Sequence, residues 1–450
     1  MIQNSNKHNI NATVDFNRFY KTLGLEKLLL KGTKKRGTKG KVALGAKTKN
    51  TPKPKLKKNA SFAQKVLKGT YDVLTAVKRA KVSYSQENGT LLQGYRPSVG
   101  FLGRSNFNGS AAPTLGFVFG SQTDIISRGI EQGWLVTRGE DEDYFNKNFA
   151  QTQANKLDFN ISIKPFKDFT IDLRGTRIRT SNTTQQLDIV EFADGTVRQN
   201  PDLRSFETGN FNISHFMLGT MFEDGDALYE KFLGYRQIIS NRLASQTQPN
   251  GIFNAFQKEG QQSMLPAFLA AYSGVNPNDV NTGIFRNIPI PNWTMRYNGL
   301  MKIKWFKKRF SSFTLSHSYT SSYSILNYTN NLQFDPNDLS LTNSSGNYQP
   351  ELLISSATLV DEFSPLIKLD MKMRNSFSFR GEIKKDRSLT LNFNNNTLTD
   401  IKGTEYVLGL GYRIKDVKFI TRITGKKETL KGDINFRADV SLRDNLTLIR

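Results

Sequence analysis

Apolar and polar side chains alternate through the C-terminal stretch of the chain, residues 363–450. Segment 403–413 shows the pattern clearly, because its large apolar side chains all fall on one parity: Tyr406, Leu408, Leu410 and Tyr412. Segments 365–374 and 433–443 repeat it. Successive side chains of a β-strand point to opposite faces, so the pattern predicts strands with one apolar and one polar face. We expect an antiparallel meander here.

Three basic–aspartate pairs are interpreted as tight turns between these strands. They are Lys385-Asp386, Lys415-Asp416 and Arg443-Asp444, and their aspartates recur at intervals of 30 and 28 residues. A membrane-crossing strand needs ~9–11 residues, so a hairpin with its connections takes about 25–30. The three turns would then lie on one side of the sheet, with 395–403 and 425–432 as the connections on the other side. Alternation is also typical of a soluble β-sheet, which stays an alternative.

Upstream segments combine further strands with helices. A hairpin is predicted over 157–178 with its turn at 165–168, and a strand over 210–218. Helices are predicted at 60–79, 124–135, 224–243 and 263–272, the last ended by Gly274. Alternation over 115–119 and 293–305 predicts strands, with 306–309 as a turn. Residues 82–450 hold roughly 14–16 strand candidates, more than an open sheet usually carries without closing.

Composition adds a strong positive charge to this picture. The 450 residues carry 63 Lys and Arg against 39 Asp and Glu, a net charge of +24. Residues 31–58 hold 12 basic and no acidic residues. This segment is expected to be a mobile loop that contacts an acidic surface or cargo, or that has no fixed partner.

Hydropathy permits a membrane-spanning sheet. Mean hydropathy is −0.49. In a transmembrane barrel only every second residue faces lipid, so a low mean does not exclude one. The chain has no cysteine, and residues 1–20 show no signal-peptide pattern. Both ends resemble cuts, and we expect a fragment of a larger protein.

Residues that could carry catalysis are scarce. None of the three histidines, His8, His215 and His317, has a second ligand at metal-binding spacing. Aromatic and basic side chains occupy opposite predicted strand faces, whereas nucleic-acid stacking needs them interleaved on one face. We therefore expect no enzyme activity, no cofactor, no metal and no nucleic-acid partner.

Several runs resemble one family in the same order along the chain. They are 97–101, 113–122, 265–274, 289–293 through 308, 392–397, 403–406, 409–416 and 430–433. Together they resemble the C-terminal part of the SprA family, outer-membrane translocons of the type IX secretion system that are linked to gliding motility in Bacteroidetes. The resemblance covers most of residues 80–450.

This resemblance implies a protein-secretion channel at the bacterial outer membrane. Family members are very large single-chain antiparallel transmembrane β-barrels that pass folded cargo proteins through the lumen to the cell surface. They work with PorV, a smaller barrel protein at a lateral opening, and with a periplasmic plug protein. They are several times longer than this chain, so the remainder of its own full-length chain is an expected partner, as are secreted cargo proteins and outer-membrane lipid.

The resulting prediction is an all-β architecture with long loops that carry short helices. Its segments are 1–80, helix-containing with the Lys-rich loop 31–58; 81–220, barrel strands; 221–290, a long helical loop insertion; and 291–450, C-terminal barrel strands. The predicted lumen-facing basic residues are Lys302, Lys304, Lys368, Lys372, Arg374, Arg413, Arg437 and Arg443. The predicted lipid-facing residues are Ile367, Leu369, Met371, Tyr406, Leu408, Leu410, Ile434, Phe436 and Val440. Alternatives are another large outer-membrane barrel transporter and a soluble β-rich surface adhesin.

Overall fold

The structure is a computed structural model that describes residues 1–23, 75–144, 147–246, 256–421 and 428–450. The Lys-rich loop 31–58 and most of the helix predicted at 60–79 lie outside the described residues. The described strands are β1 (Ile2–Asp15), β2 (Val77–Leu92), β3 (Ser105–Phe107), β4 (Ser110–Ala112), β5 (Arg138–Gly139), β6 (Lys147–Phe166), β7 (Phe169–Leu187), β8 (Ile189–Glu191), β9 (Val197–Gln199), β10 (Phe206–Ser214), β11 (Asn292–Tyr297), β12 (Phe310–Asn330), β13 (Leu352–Ile354), β14 (Ser356–Met373), β15 (Phe377–Asn392), β16 (Thr397–Thr421) and β17 (Glu428–Ile449). The described helices are α1 (Phe16–Thr22), α2 (Leu115–Val118), α3 (Ile125–Glu131), α4 (Gly225–Gln246), α5 (Gln261–Ser273) and α6 (Lys304–Arg309).

One large antiparallel sheet of 12 strands organises the chain. Its order is β1-β2-β6-β7-β10-β12-β14-β15-β16-β17, with β11 between β7 and β12 and with β13 paired to β12. Every pairing in this sheet is antiparallel. Among the described residues, β1 and β17 each pair on one side only. The architecture is therefore mostly β-sheet, as the alternation predicts.

The two ends of this sheet differ in the length of their connections. At one end, the short-turn end, strands are joined by the short connections 167–168, 298–309, 374–376 and 422–427 and by one long connection, residues 16–76 between β1 and β2. At the other, the long-loop end, residues 93–146, 188–205 and 331–355 join them, with one short turn at 393–396. The hairpin predicted over 157–178 is confirmed, with Ile163 opposite Ile171 beside the turn.

Strands β10 and β11 occupy one strand position that is interrupted by a 77-residue insertion, residues 215–291. Both strands pair with β7 and with β12, β10 nearer the long-loop end and β11 nearer the short-turn end. The chain leaves and returns at one point, since the Ile290 amide donates to the Ser214 carbonyl over 3.0 Å. The two predicted helices are confirmed inside this insertion as α4 and α5, and Gly274 ends α5 in a left-handed conformation.

Two covers pack on one face of the sheet near the long-loop end. The first cover is formed by residues 93–144, whose Phe117 and Trp134 bury Leu92 and Phe149. The second cover is the insertion 215–291, and its α5 is buried along almost its whole length. Beneath it lie apolar side chains of five strand positions: Phe211, Ile213, Tyr323, Ile325, Ala357, Leu359, Leu389, Leu391 and Leu398. Both hydrophobic cores therefore lie on the same face of the sheet.

The predicted basic–aspartate turns are wrong. Lys385-Asp386 lies inside β15, Lys415-Asp416 inside β16 and Arg443-Asp444 inside β17, while the actual connections near them are 374–376 and 393–396. The strands are 16 to 25 residues long, well beyond the ~9–11 that cross a bilayer. The three charged pairs resemble turns in the sequence because β15, β16 and β17 continue beyond their apolar rows into polar residues. Asp416 has a φ of 55° beside a β-bulge, which is a kink in the strand.

Other local predictions were overridden by tertiary structure. Residues 115–118 form helix α2 with Thr114 as its N-cap, not an alternating strand. The strand predicted over 293–305 ends at Tyr297, and its second half forms a 3-10 turn and α6. Strand β1 was not predicted, because its sequence is rich in asparagine and shows little apolar character.

Two glycines allow a matched test of the sheet. A Cβ at Gly209 would lie 2.1 Å from the Thr180 carbonyl oxygen, whereas one at Gly234 on helix α4 would meet nothing within 4 Å. We expect Gly209→Ala to lower the free energy of unfolding by about 1–3 kcal/mol through overpacking. Gly234→Ala should raise it by about 1 kcal/mol through helix propensity. Urea unfolding followed by tryptophan fluorescence measures both; equal effects would contradict the β10–β7 packing.

Candidate functional site

An exposed apolar belt crosses the sheet between its short-turn end and the two covers. One register row carries it across seven strand positions, from β7 to β17. The row consists of Phe169, Tyr297, Leu315, Leu369, Gly381, Leu408 and Val440. Further rows continue it onto β1, β2 and β6 through Ile10, Val14, Val82, Phe159 and Ile161. The register shifts at Ser316/Thr320 and at Phe363/Ile367 are of two residues and preserve parity, so every strand position contributes apolar side chains to the same face.

This belt is open to its surroundings. Leu408 is 49% exposed, Val440 69% and Leu442 71%. On β16 the apolar positions run from Tyr406 to Ile414, which at ~3.3 Å per residue is about 26 Å along the strand. A soluble monomer rarely leaves so large an apolar surface uncovered. An apolar surface of this size is typical of a site that contacts another protein or a lipid phase.

An aromatic rim borders the belt at its short-turn margin. Phe377 and Tyr412 lie 4.5 Å apart between ring centroids, and Phe169 contacts Tyr297 at 6.1 Å. Trp305, half exposed, contacts Phe310 at 6.1 Å. At the margin next to the covers, Trp293 stacks on Tyr319 at 4.5 Å, and Tyr319 is fully buried in a cluster with Met221 of the second cover.

The opposite face of the sheet is mostly polar, with a few apolar residues such as Val360 and Val407 among the polar ones. Its β12 positions are Ser312, Thr314, Ser316, Ser318, Thr320, Ser322 and Ser324. Its β14–β17 positions carry a ladder of ion pairs. Glu382 lies 3.8 Å from Lys368, Glu405 lies 3.3 Å from Lys384, and Arg443 contacts Glu405 at 3.8 Å and Asp386 at 3.0 Å. These charges satisfy one another across neighbouring strands, so the face is hydrated without a large unpaired charge.

The structure brings the predicted lipid-facing residues together on the belt face: Ile367, Leu369, Met371, Tyr406, Leu408, Leu410, Ile434, Phe436 and Val440. Lys368, Lys372, Arg413, Arg437 and Arg443 lie on the polar face. The other three basic residues do not lie on a strand face. Lys302 is in the 3-10 turn, Lys304 begins α6, and Arg374 follows β14 in a connection. For the nine apolar and five basic residues that lie on strands, alternation along the strand alone gives the face.

Sequence reasoning missed the part of the belt on β1 and β2. The only signal there is a short alternation, Ile10-Ala12-Val14 and Ala80-Val82-Tyr84, in strands otherwise rich in polar residues. The 14-residue antiparallel register between β1 and β2 places these short stretches beside the longer rows of β6. These stretches of β1 and β2 are therefore recognised as part of the belt only from their pairing with the longer apolar rows of β6.

A buried arginine–aspartate pair holds each cover to the sheet. In the first cover, Arg138 makes two bonds to Asp188, at 2.7 and 2.8 Å, and Asn200 donates to the same carboxylate. In the second, Arg387 makes two bonds to Asp400, at 3.0 and 2.8 Å, and its third nitrogen donates to the Thr220 carbonyl at 3.1 Å. Paired carboxylate and guanidinium groups are tolerated in a core because every donor is directed to an acceptor.

His215 lies where the insertion leaves the sheet. Its Nε2 is 2.6 Å from the Ser273 hydroxyl at the end of α5, and its amide donates to the Ser321 carbonyl on β12. Burial, aided by the charge of Arg286, lowers the pKa of His215 to about 4. The imidazole is therefore neutral at physiological pH and acts as a hydrogen-bonding link between the insertion and the sheet.

Within the described residues, no group of three or more His, Asp or Glu side chains could hold a metal ion. None of the described helices is both long enough and apolar enough to cross a bilayer. No protein-family model matches the chain, and no curated protein sequence matches it significantly. The candidate functional site of the described residues therefore consists of the two faces of the sheet.

Removing one partner of the Arg387–Asp400 pair should loosen the second cover. Both side chains are almost fully buried, so Asp400→Asn leaves a charged guanidinium poorly compensated and should cost about 3–5 kcal/mol. The double change Arg387→Met with Asp400→Leu should restore much of that loss. Limited proteolysis of the second cover as a function of urea concentration measures it. A double variant as sensitive as the single one would contradict this account.

Acid should weaken the same cover. The folded pKa of His215 lies below the unfolded value near 6.5, so the unfolded state binds the extra proton between about pH 6.5 and pH 4. Stability is complete above this window and falls as the pH decreases through it, by up to ~3 kcal/mol. His215→Gln should flatten the proteolysis profile between pH 4 and pH 6.5, whereas His8→Gln, which changes an exposed histidine, should leave it unchanged.

Proposed function

We propose that this chain forms part of the wall of a large transmembrane β-barrel of the bacterial outer membrane, with the belt in lipid and the polar face lining an aqueous lumen. The observation that carries the proposal is the uninterrupted exposed belt, which crosses every strand position while the opposite face is mostly polar. Its extent on β16, about 26 Å along the strand, corresponds to a height of about 20 Å at the ~35–45° tilt of barrel strands, which is close to the ~25 Å apolar band of such barrels.

The aromatic rim and the connections support one orientation. Aromatic girdles flank the lipid-facing band of transmembrane barrels, and the belt has such a rim at its short-turn margin. Bacterial barrels have short periplasmic turns and long extracellular loops. Apart from 16–76, the connections at the short-turn end have at most 12 residues, so we assign this end to the periplasm and the two covers to the cell surface.

Open edges in lipid require further strands. A bilayer offers no hydrogen bonds to unpaired backbone groups, so a membrane sheet must close. The outer edges of β1 and β17 would be satisfied by strands from the remainder of a longer chain. The barrel would then exceed the ten strand positions described, and its lumen would be wide and water-filled.

The sequence resemblance supports a particular role for this lumen, the passage of folded cargo proteins in type IX secretion and gliding motility. A face of hydroxyl groups and mutually paired charges offers no extended apolar surface on which a folded protein would be held. Movement through it requires no catalytic residue in this chain. The PorV-like barrel protein and the periplasmic plug remain proposed partners.

The belt is tested by placing one arginine on either face of β12. Leu315 faces Leu369 across β12 and β14 on the belt, and its neighbour Thr314 faces Asp370 on the polar side. Leu315→Arg or Leu369→Arg should cost ~2–4 kcal/mol in the bilayer and reduce assembly of the full-length protein in outer-membrane fractions. Thr314→Arg should assemble normally, because its side chain remains in water.

Heat-modifiable mobility of the membrane-fraction protein reports this assembly. Normal assembly of the Leu369→Arg protein would overturn the assignment of the belt to lipid. Recovery of the unaltered full-length protein in the soluble fraction without detergent would favour the surface adhesin instead.

A further inference from the structure

Exposed basic residues cluster in the connections at the short-turn end, and the proposed role as part of a barrel wall does not involve them. We define the basic collar as the eight exposed basic residues of segments 164–168, 298–309 and 374–376: Lys164, Lys167, Lys302, Lys304, Lys307, Lys308, Arg309 and Arg374. The same segments contain one acid, Asp168, which pairs with Lys302. By contrast, residues 93–144 at the long-loop end carry six acids and four bases. The cation excess is confined to one end of the sheet.

The collar is fixed to the margin of the belt by direct contacts. Phe306 of α6 packs on Phe313 of β12 with ring centroids 5.0 Å apart. The Arg374 amide donates to the Arg309 carbonyl, and its Nε donates to the Lys307 carbonyl, both at 3.0 Å. These bonds join two neighbouring connections, so the cations are held beside the aromatic rim rather than on a free loop.

Helix α6 combines these cations with apolar side chains that point away from the protein. Trp305 and Ile303 are each 50% exposed, and the Arg309 guanidinium lies 4.6 Å from the centre of the Trp305 ring. A ring with one wet edge beside basic side chains is the composition of a membrane–water interface. The aromatic group would lie at the level of the headgroups, and the cations would reach their phosphates.

We propose that the basic collar binds the phosphate headgroups of anionic phospholipids in the leaflet next to the short-turn end. This inference rests on the proposed function, because it takes the belt to lie in lipid. Continuity with the belt favours a lipid over an acidic protein: the collar follows the aromatic rim across three connections. Each cation near an anionic bilayer surface contributes about a fivefold preference, so several together select anionic over zwitterionic lipid.

The experiment uses the full-length protein in bilayers of phosphatidylcholine that contain one third phosphatidylglycerol. Photoactivatable analogues of each lipid are cross-linked in parallel, and labelled peptides are quantified by mass spectrometry. We expect segment 303–313 to be labelled at least tenfold more by the phosphatidylglycerol analogue. Neutralising Lys304, Lys307, Lys308 and Arg309 to glutamine should remove this preference.

The matched control neutralises four exposed cations at the opposite end of the sheet, Arg96→Gln, Arg128→Gln, Lys147→Gln and Lys258→Gln, and should retain the preference. Unaltered protein in 1 M salt, where charges are screened within about 3 Å, should lose it without any substitution. Equal labelling by the two lipids, or an unchanged preference in the collar variant, would overturn the proposal.

The two proposals fail in different ways. If belt peptides around Leu369 and Leu408 are labelled by neither lipid, the belt does not face a bilayer and the proposed function fails. If both lipids label the belt equally and the collar shows no preference, the wall function stands and only the collar proposal is lost.

Discussion

This structure depends on one constraint, which is that paired residues of neighbouring strands point to the same face of the sheet. Each strand presents alternate residues to opposite faces, and each antiparallel pairing matches residues of the same face. The two-residue shifts at Ser316/Thr320 in β12 and Phe363/Ile367 in β14 keep the parity on both sides of the bulge. A slip of one residue in any pairing would transfer its apolar row to the polar face. The belt, the ion-pair ladder and the covered cores all follow from this one register.

The same face serves two environments along its length. Near the long-loop end its apolar side chains, such as Leu359 and Leu389, are covered by protein. Further down the same strands, Leu369 and Ile383 belong to the uncovered belt. The change occurs where the insertion leaves β10 and where buried Arg387 and Asp400 hold it in place. Long strands thus combine a covered core with an exposed apolar surface.

Charge is distributed to match these environments. On the polar face, basic residues such as Lys384 and Arg443 are balanced by Glu405 in the neighbouring strand. At the short-turn end, cations outnumber acids and remain exposed beside Trp305. Of the net charge of +24, residues 31–58 supply +12, and the exposed cations of the short-turn end contribute a further part.

Periodicity alone determined the class of fold, the hairpin at 157–178, the helices of the insertion and the faces of Leu369, Leu408 and Lys368, because alternation is local. It did not determine where the strands end, since the charged pairs inside β15, β16 and β17 resemble turns. Nor did it identify β1, whose weak pattern is recognised only through its pairing with β2. Tertiary structure also decided that Lys302 and Lys304 belong to a connection and that one strand position is built from β10 and β11. Such features depend on contacts between residues far apart in the chain, and a local pattern carries no information about them.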